Sequence, residues 1–412
     1  MRSGLTVKAV AVLALSVLPV LCVQGCSAEP AEEKPASKPS ASAAPFLGNR
    51  DYVLPDSPFT RDDTVVTATC GMGARYAAVT VRAWDAETWQ PRAERTFPIP
   101  SDAAFTNYAG AKAVNSPLVD LCGMNPDNPS PYKVATLEYM APRVRALFDL
   151  AFTRMAVVLR DPGNKADSHV GYVVSGAGLD DVVRLGGAPG ADEQNAVMSP
   201  DGRGVWFTYT AEGGGQRIGS RPTEGSHHLS DEGPAAGHGL PLTVLGRPPR
   251  AVQADTVHLA PGGRRLTAKA PKVFGNVFDT WNSSGPLTSR SAHRATLLSG
   301  CEGLVGWTGD DRVLCRTSTG TFRIMDARTG RASGAPIGVV GPQDGRVAEG
   351  MLVSPDGKRF LVAVHEPNAR RSDDDYSYRK PDFRVVPTTG GEATTDVVND
   401  LLDTYTVFLS WS

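Results

Sequence analysis

Met-Leu-Val-Ser-Pro-Asp-Gly-Lys-Arg-Phe-Leu-Val-Ala-Val, from Met351 to Val364, is a two-strand unit in miniature. Apolar residues flank Ser354-Pro355-Asp356-Gly357 and suit buried strands, while Pro fixes φ, Asp bonds nearby backbone N–H groups and Gly permits φ > 0. The stretch predicts a tight hairpin. Imperfect copies stand at 197–209 (Ser199-Pro200-Asp201-Gly202), at 257–268 (Ala260-Pro261-Gly262-Gly263) and at 305–315 (Gly309-Asp310-Asp311). Repetition is therefore the plan of the fold.

A second repeated unit begins at Asp62-Asp63 and runs through two strands to Asp85-Ala86-Glu87-Thr88. The same order recurs from Asp310-Asp311 to Asp326-Ala327-Arg328-Thr329-Gly330. Further units occupy 146–185, 195–229, 251–287 and 350–397, the last with a long insertion. The units recur roughly every 40 to 50 residues without a 3.6-residue period, which fits four-stranded propeller blades and not a helical solenoid. Six units are legible, and 99–145 reads either as a divergent seventh blade or as a capping insertion. The final Tyr405-Thr406-Val407-Phe408-Leu409-Ser410-Trp411 matches the opening strand Gly303-Leu304-Val305-Gly306-Trp307, which the first unit lacks. The expectation is an all-β propeller closed by a C-terminal strand that completes the N-terminal blade.

The Ser-Pro-Asp-Gly-Lys and Ser-Pro-Asp-Gly-Arg turns resemble the repeat of TolB-like and WD-repeat-like propellers. The Asp-Ala-x-Thr-Gly turn resembles that of quinoprotein-type propellers, where it joins the third and fourth strands of a blade. These resemblances imply a fold shared by many unrelated functions, so no site residue is carried over. A sialidase-type Asp box fails at Ser199 to Trp206, where Arg203 and Val205 replace the required Gly and Thr.

The 412 residues suit one closed repeat domain, with 41% hydrophobic and 21% charged residues; Gly 43 and Pro 32 signal frequent turns. A net charge of -2 gives no basic excess for nucleic acid. Arg2 and Lys8 precede an apolar run over 9–23, the form of an export signal and short for a membrane span. Val23-Gln24-Gly25-Cys26 resembles a bacterial lipoprotein signal, which implies residues 1–25 are removed and Cys26 carries lipid (palmitate and diacylglycerol). Residues 26–47, rich in Ala, Pro, Ser, Glu and Lys, read as a disordered tether, and 48–412 as the propeller. The expected address is the extracytoplasmic face of the cell membrane.

Four further cysteines in an oxidising compartment suggest two disulfides. Cys301 and Cys315 bracket a hairpin, about three positions out of simple register, so their pairing needs a bend at Gly300 or Gly303. Cys70 and Cys122 form the other pair by elimination. His227, His228 and His238 are weak transition-metal candidates in a Gly-rich stretch without fixed spacing. Arg371, Asp373, Asp374, Asp375, Tyr376, Tyr378 and Arg379 form a candidate binding loop inside the 366–381 insertion. Trp84, Trp206, Trp281, Trp307 and Trp411, about one per unit, read as blade packing. No Gly-x-Ser-x-Gly elbow is complete, so no catalytic residue is assigned and no cofactor is expected. The leading reading is a non-catalytic platform for an unknown protein or small-molecule ligand. Its rivals are a hydrolase or lyase with a site at the channel mouth, and a structural component of an envelope complex.

Overall fold

The structure, a computed structural model, describes residues 56–72, 77–103, 117–122, 141–160, 167–186, 192–235, 241–244, 247–251, 257–260, 265–269, 278–282, 296–340, 345–366, 381–391, 395–402 and 406–412. The described residues form a succession of antiparallel sheets, five of them four-stranded. In four of the five the strands follow chain order: 194–234, 257–297, 303–337 and 347–397. The fifth is ordered Val407–Trp411, Thr64–Met72, Ala77–Asp85, Pro91–Pro98. First strands of successive sheets lie side by side: Gly303–Gly309 beside Val347–Val353, and Val347–Val353 beside Val407–Trp411. This is the arrangement of a β-propeller, with the C-terminal strand as the innermost strand of the N-terminal sheet.

Closure is held by Val65 opposite Trp411 and Ala68 opposite Val407. Ser412 N–H adds a bond to the Thr64 carbonyl at 2.9 Å. The 347–397 sheet packs on this closed sheet, where Phe383 meets Phe408 edge-on at 5.1 Å between centroids. Arg359 ion-pairs with Glu87 and reaches Asp63 at 3.9 Å. Asn399 Nδ2 donates to the Trp89 carbonyl at 2.9 Å.

The Ser-Pro-Asp-Gly turns join first and second strands through the same bonds in both copies. Ser199 N–H meets the Gly204 carbonyl at 2.8 Å, and Ser354 N–H meets that of Arg359 at 2.8 Å. Each serine hydroxyl accepts the N–H five residues on at 2.9 Å and donates to the Asp two residues on at 2.7 Å. Gly202 and Gly357 stand at φ 71° and 69°. A disguised third copy spans 149–154. Asp149 N–H bonds the Arg154 carbonyl at 3.3 Å, and its Oδ1 accepts from Thr153 N–H at 2.6 Å. Phe152 takes the glycine's place at φ 53°. This turn belongs to the 154–184 sheet, which shows three strands because its opening strand is reduced to one bridge, Phe148 opposite Met155.

The Asp-Ala-x-Thr turns do join third to fourth strands. Asp85 Oδ1 accepts the N–H groups of Glu87 and Thr88 at 3.0 and 2.8 Å. Asp326 Oδ1 accepts those of Arg328 and Thr329 at 2.9 and 2.8 Å. With Thr88 N–H the leading cause, Asp85 is held well below the ordinary carboxylate range, at about 2.

The described part of 99–145 holds no strand. It supplies the helix Pro117–Cys122, a helical turn over 141–145 and one bridge, Ala103 opposite Leu159. An unforeseen two-stranded sheet, Pro241–Val244 with Arg247–Ala251, lies beside the 194–234 sheet. Its second strand contains Pro248-Pro249, which cannot donate to a ladder. Trp84, Trp307 and Trp411 are buried between sheets and Trp206 is partly buried; Trp281 lies on Phe278–Asn282. Trp84 Nε1 donates to Thr67 Oγ1 at 2.8 Å.

Two predictions follow from this geometry. Removing residues 406–412 takes away four buried apolar side chains, Val407, Phe408, Leu409 and Trp411. At roughly 1.5–3 kcal/mol each, that is comparable with the ~5–15 kcal/mol net stability of a domain. The truncated chain is expected to lose cooperative thermal unfolding altogether, read by circular dichroism. At the turns, a Cβ on Gly357 would lie 2.1 Å from the Thr308 carbonyl oxygen, whereas one on Gly202 would meet Asp149 Oδ2 at 3.2 Å. Gly357→Ala should therefore destabilise more than Gly202→Ala, by at least ~1 kcal/mol in denaturant titration; equal losses would contradict the close approach.

Candidate functional site

Among the described residues, side chains of catalytic type gather at the junction of the 154–184 and 194–234 sheets. Glu193 immediately precedes Gln194–Met198 and has 0% of its surface exposed. Its Oε2 accepts the Val170 N–H at 2.8 Å, and its Oε1 accepts Arg221 Nε and Nη2 at 3.0 and 2.7 Å. Arg221, also buried, donates through Nη1 to the His227 carbonyl at 2.8 Å and lies over the Phe207 ring at 5.8 Å. Ser168 Oγ donates to the Glu193 carbonyl at 2.7 Å and lies 3.3 Å from Asp192 Oδ1. His169 packs against Gly186, where a Cβ would stand 3.2 Å from its Nδ1 and 2.9 Å from Glu193 Oε2.

Ser, His, Asp, Glu and Arg thus meet at one place, but none of them faces an approachable space: Ser168, His169, Asp192, Glu193 and Arg221 are all buried. The Ser168 hydroxyl is directed at the Glu193 carbonyl and the Asp192 carboxylate. Glu193 has both oxygens committed. The chemistry of this set is that of a tie between two sheets. The sequence offered no local signal for it, because Glu193 and Arg221 come from well-separated parts of the chain. A related tie, Arg316 Nε to Glu349 Oε2 at 3.2 Å, joins the 303–337 and 347–397 sheets.

A second set of cations fastens the end of the ring that carries the first-to-second-strand turns. Arg154, Arg265 and Arg359 occupy one repeated position, since each carbonyl accepts the N–H of the residue five places before it. Each side chain reaches the next sheet. Arg154 donates to the Gly202 carbonyl at 2.6 Å and to Thr223 Oγ1 at 3.0 Å; Arg265 Nε lies 3.3 Å from Asp311 Oδ1; Arg359 pairs with Glu87. Arg145 lies with its guanidinium 4.4 Å from the Phe152 ring centroid and donates to the Phe148 and Asp149 carbonyls at 3.0 and 3.2 Å. Burial lowers its pKa to about 10 against the opposing charge of Asp149, so it stays cationic at neutral pH.

Of the metal candidates, His227 and His228 lie among the described residues. His227 Nδ1 lies 2.8 Å from the Pro222 carbonyl, which can only accept, so that nitrogen carries the proton. His228 Nδ1 instead faces Ser226 Oγ at 2.9 Å, and His238 lies outside the described residues. Among the described residues no group of three or more His, Cys, Asp or Glu is placed to hold a metal ion. The loop residues Arg371, Asp373, Asp374, Asp375, Tyr376, Tyr378 and Arg379, and Cys26, also lie outside the described residues. The structure pairs Cys301 with Cys315 and Cys70 with Cys122, each with Cα atoms 5.3 Å apart. Gly300, at φ 82°, turns the chain just before Cys301, and Glu302 N–H then meets the Arg316 carbonyl at 2.8 Å.

If Glu193 and Arg221 act as a structural pair, Glu193→Ala alone is expected to cost about 3–5 kcal/mol by leaving Arg221 buried and unpaired. Glu193→Leu combined with Arg221→Met should recover most of that loss in urea unfolding. A double variant as unstable as the sum of its singles would refute the assignment.

No family model matches the sequence, and no curated protein does. Similar solved structures include a dihydro-heme d1 dehydrogenase (14% identity, TM-score 0.30, covering 84% of this chain and 57% of that one). They also include TolB from Acinetobacter baumannii (11%, 0.27, covering 83% and 84%) and an oligogalacturonate lyase in complex with manganese (10%, 0.34, covering 81% and 73%). The chain thus spans less than two thirds of the dehydrogenase. Likeness at these identities concerns the fold alone.

Proposed function

We propose that this protein is a lipid-anchored, extracytoplasmic propeller that binds a partner without turning it over. The lipoprotein-like Val23-Gln24-Gly25-Cys26 and the Pro-rich tether after it supply the anchor, and paired cysteines suit the same oxidising side of the membrane. The observation that carries the non-catalytic reading is the sealing of the Ser168, His169, Asp192, Glu193 and Arg221 gathering. Acid–base and nucleophilic groups act on a substrate only within hydrogen-bonding reach of it, and the bonds of Ser168, Glu193 and Arg221 go to the fold. A rigid ring leaves recognition to its exposed turns and insertions, with the Arg-, Asp- and Tyr-rich 366–381 segment as the first region to test.

Cys26→Ser is expected to move the protein from the membrane fraction to the medium, while the unchanged chain stays with membranes. Unchanged mature protein found wholly in the medium would overturn the anchor. For binding, replacing 366–381 with a short Gly-Ser turn should leave thermal unfolding intact and remove cross-links to the main partner on whole cells. An unaltered set of cross-links would exclude that segment.

A further inference from the structure

We propose that the Cys70–Cys122 disulfide is a reducible latch that fastens a helical wedge into the wall of the ring. The inference goes beyond the binding role and does not rest on it. The 154–184 sheet lacks a full opening strand, the element that in its neighbours lines the inside of the ring. Pro117–Cys122 lies against both Thr64–Met72 and Gln194–Met198, strands of the two sheets that flank this gap in chain order. It inserts Leu118 and Leu121, 1% and 7% exposed, into one apolar cluster with Val144, Leu147 and Phe148. The wedge therefore stands where a regular blade would place a strand.

A helix of six residues has no stability of its own, because the nucleating turn fixes several residues for one hydrogen bond. Pro117–Cys122 is held by its two leucines and by the sulfur bond at its last residue. On the other side of that bond, Cys70 is held in a ladder, opposite Val79 and third from the end of Thr64–Met72. Cutting the bond frees the wedge and leaves the strand in place.

The two disulfides differ in access. Cys301 and Cys315 are 3% and 0% exposed; Cys122 is 7% exposed, and Cys70 alone of the four is only partly buried. A dithiol reductant therefore reaches Cys70 first. One of its thiolates attacks Cys70 Sγ and displaces the Cys122 thiolate, which takes a proton. Its second thiol then attacks the mixed disulfide, releasing Cys70 as a thiol and leaving the reductant as a disulfide. Two electrons and two protons pass to the protein pair.

The test uses the full chain, purified without reductant and titrated with dithiothreitol. Free thiols are alkylated and mapped by mass, and amide hydrogen exchange is followed at each step. Cys70 and Cys122 are expected to be alkylated at a dithiol concentration about tenfold below that needed for Cys301 and Cys315. At that point exchange in 117–122 should accelerate at least about tenfold, while amides of 303–309 and 347–353 keep their protection. Cys122→Ser should show the fast exchange without reductant, and Cys301→Ser with Cys315→Ser should retain the slow exchange until Cys70 is reduced. Simultaneous loss of both disulfides, unchanged exchange in 117–122 after reduction, or collapse of every sheet at the first step would each overturn the latch.

Discussion

The ring depends on one local device, a clamp at the turn between first and second strands. A side-chain oxygen at its first residue holds the N–H four or five places on, and a residue at positive φ lets the chain reverse within that span. Backbone polar groups in a tight turn must find partners, and the clamp supplies them without water. Because its outer surface is then closed and compact, the next clamp can press against the preceding sheet. Leu150 N–H bonds the Pro200 carbonyl at 2.9 Å, and Gly357 lies against the Thr308 backbone so closely that no side chain fits. The arginine that follows two of these turns, Arg154 or Arg359, then spans to the neighbouring sheet, as does Arg265 in the same position after Ala260. Turn chemistry, sheet spacing and ring closure are consequences of the same few atoms.

Much of this was legible in the sequence because it is local. Ser354-Pro355-Asp356-Gly357 and Asp326-Ala327-Arg328-Thr329 each carry their hydrogen-bonding logic within six residues, and Trp307 and Trp411 mark equivalent strands. What escaped reading was either disguised or distant. At Asp149 to Arg154 a carboxylate stands in for the serine hydroxyl and Phe152 for the glycine, so the geometry persists while the letters do not. Pro248-Pro249 argued against the strand in which they sit. The Glu193–Arg221 pair has no sequence signature at all, since nothing in either neighbourhood announces a partner from another strand.

The buried pair also explains why functional residue types were a poor guide here. Apolar faces of adjacent sheets supply most of the cohesion, as in the Phe322 to Phe360 contact at 5.0 Å. A buried ion pair adds little net stability over apolar packing, but it tolerates no other neighbour. Glu349 with Arg316, and Glu193, which pairs with Arg221 of its own sheet and accepts the Val170 N–H of the preceding one, therefore fix which sheet meets which, in a molecule whose units are similar enough to be confused.

The seam between Thr64–Met72 and Val407–Trp411 also orders events in time. Val65 and Trp411 are register partners from opposite ends of the described chain, so their pairing closes the longest loop in the molecule and is expected to come late in folding. Until then the N-terminal sheet presents an open edge, a template for strands of other chains. Once the strand is seated, no single sheet can peel away without breaking contacts on both flanks. The same constraint that makes assembly slow and exposed to aggregation makes the finished ring slow to come apart.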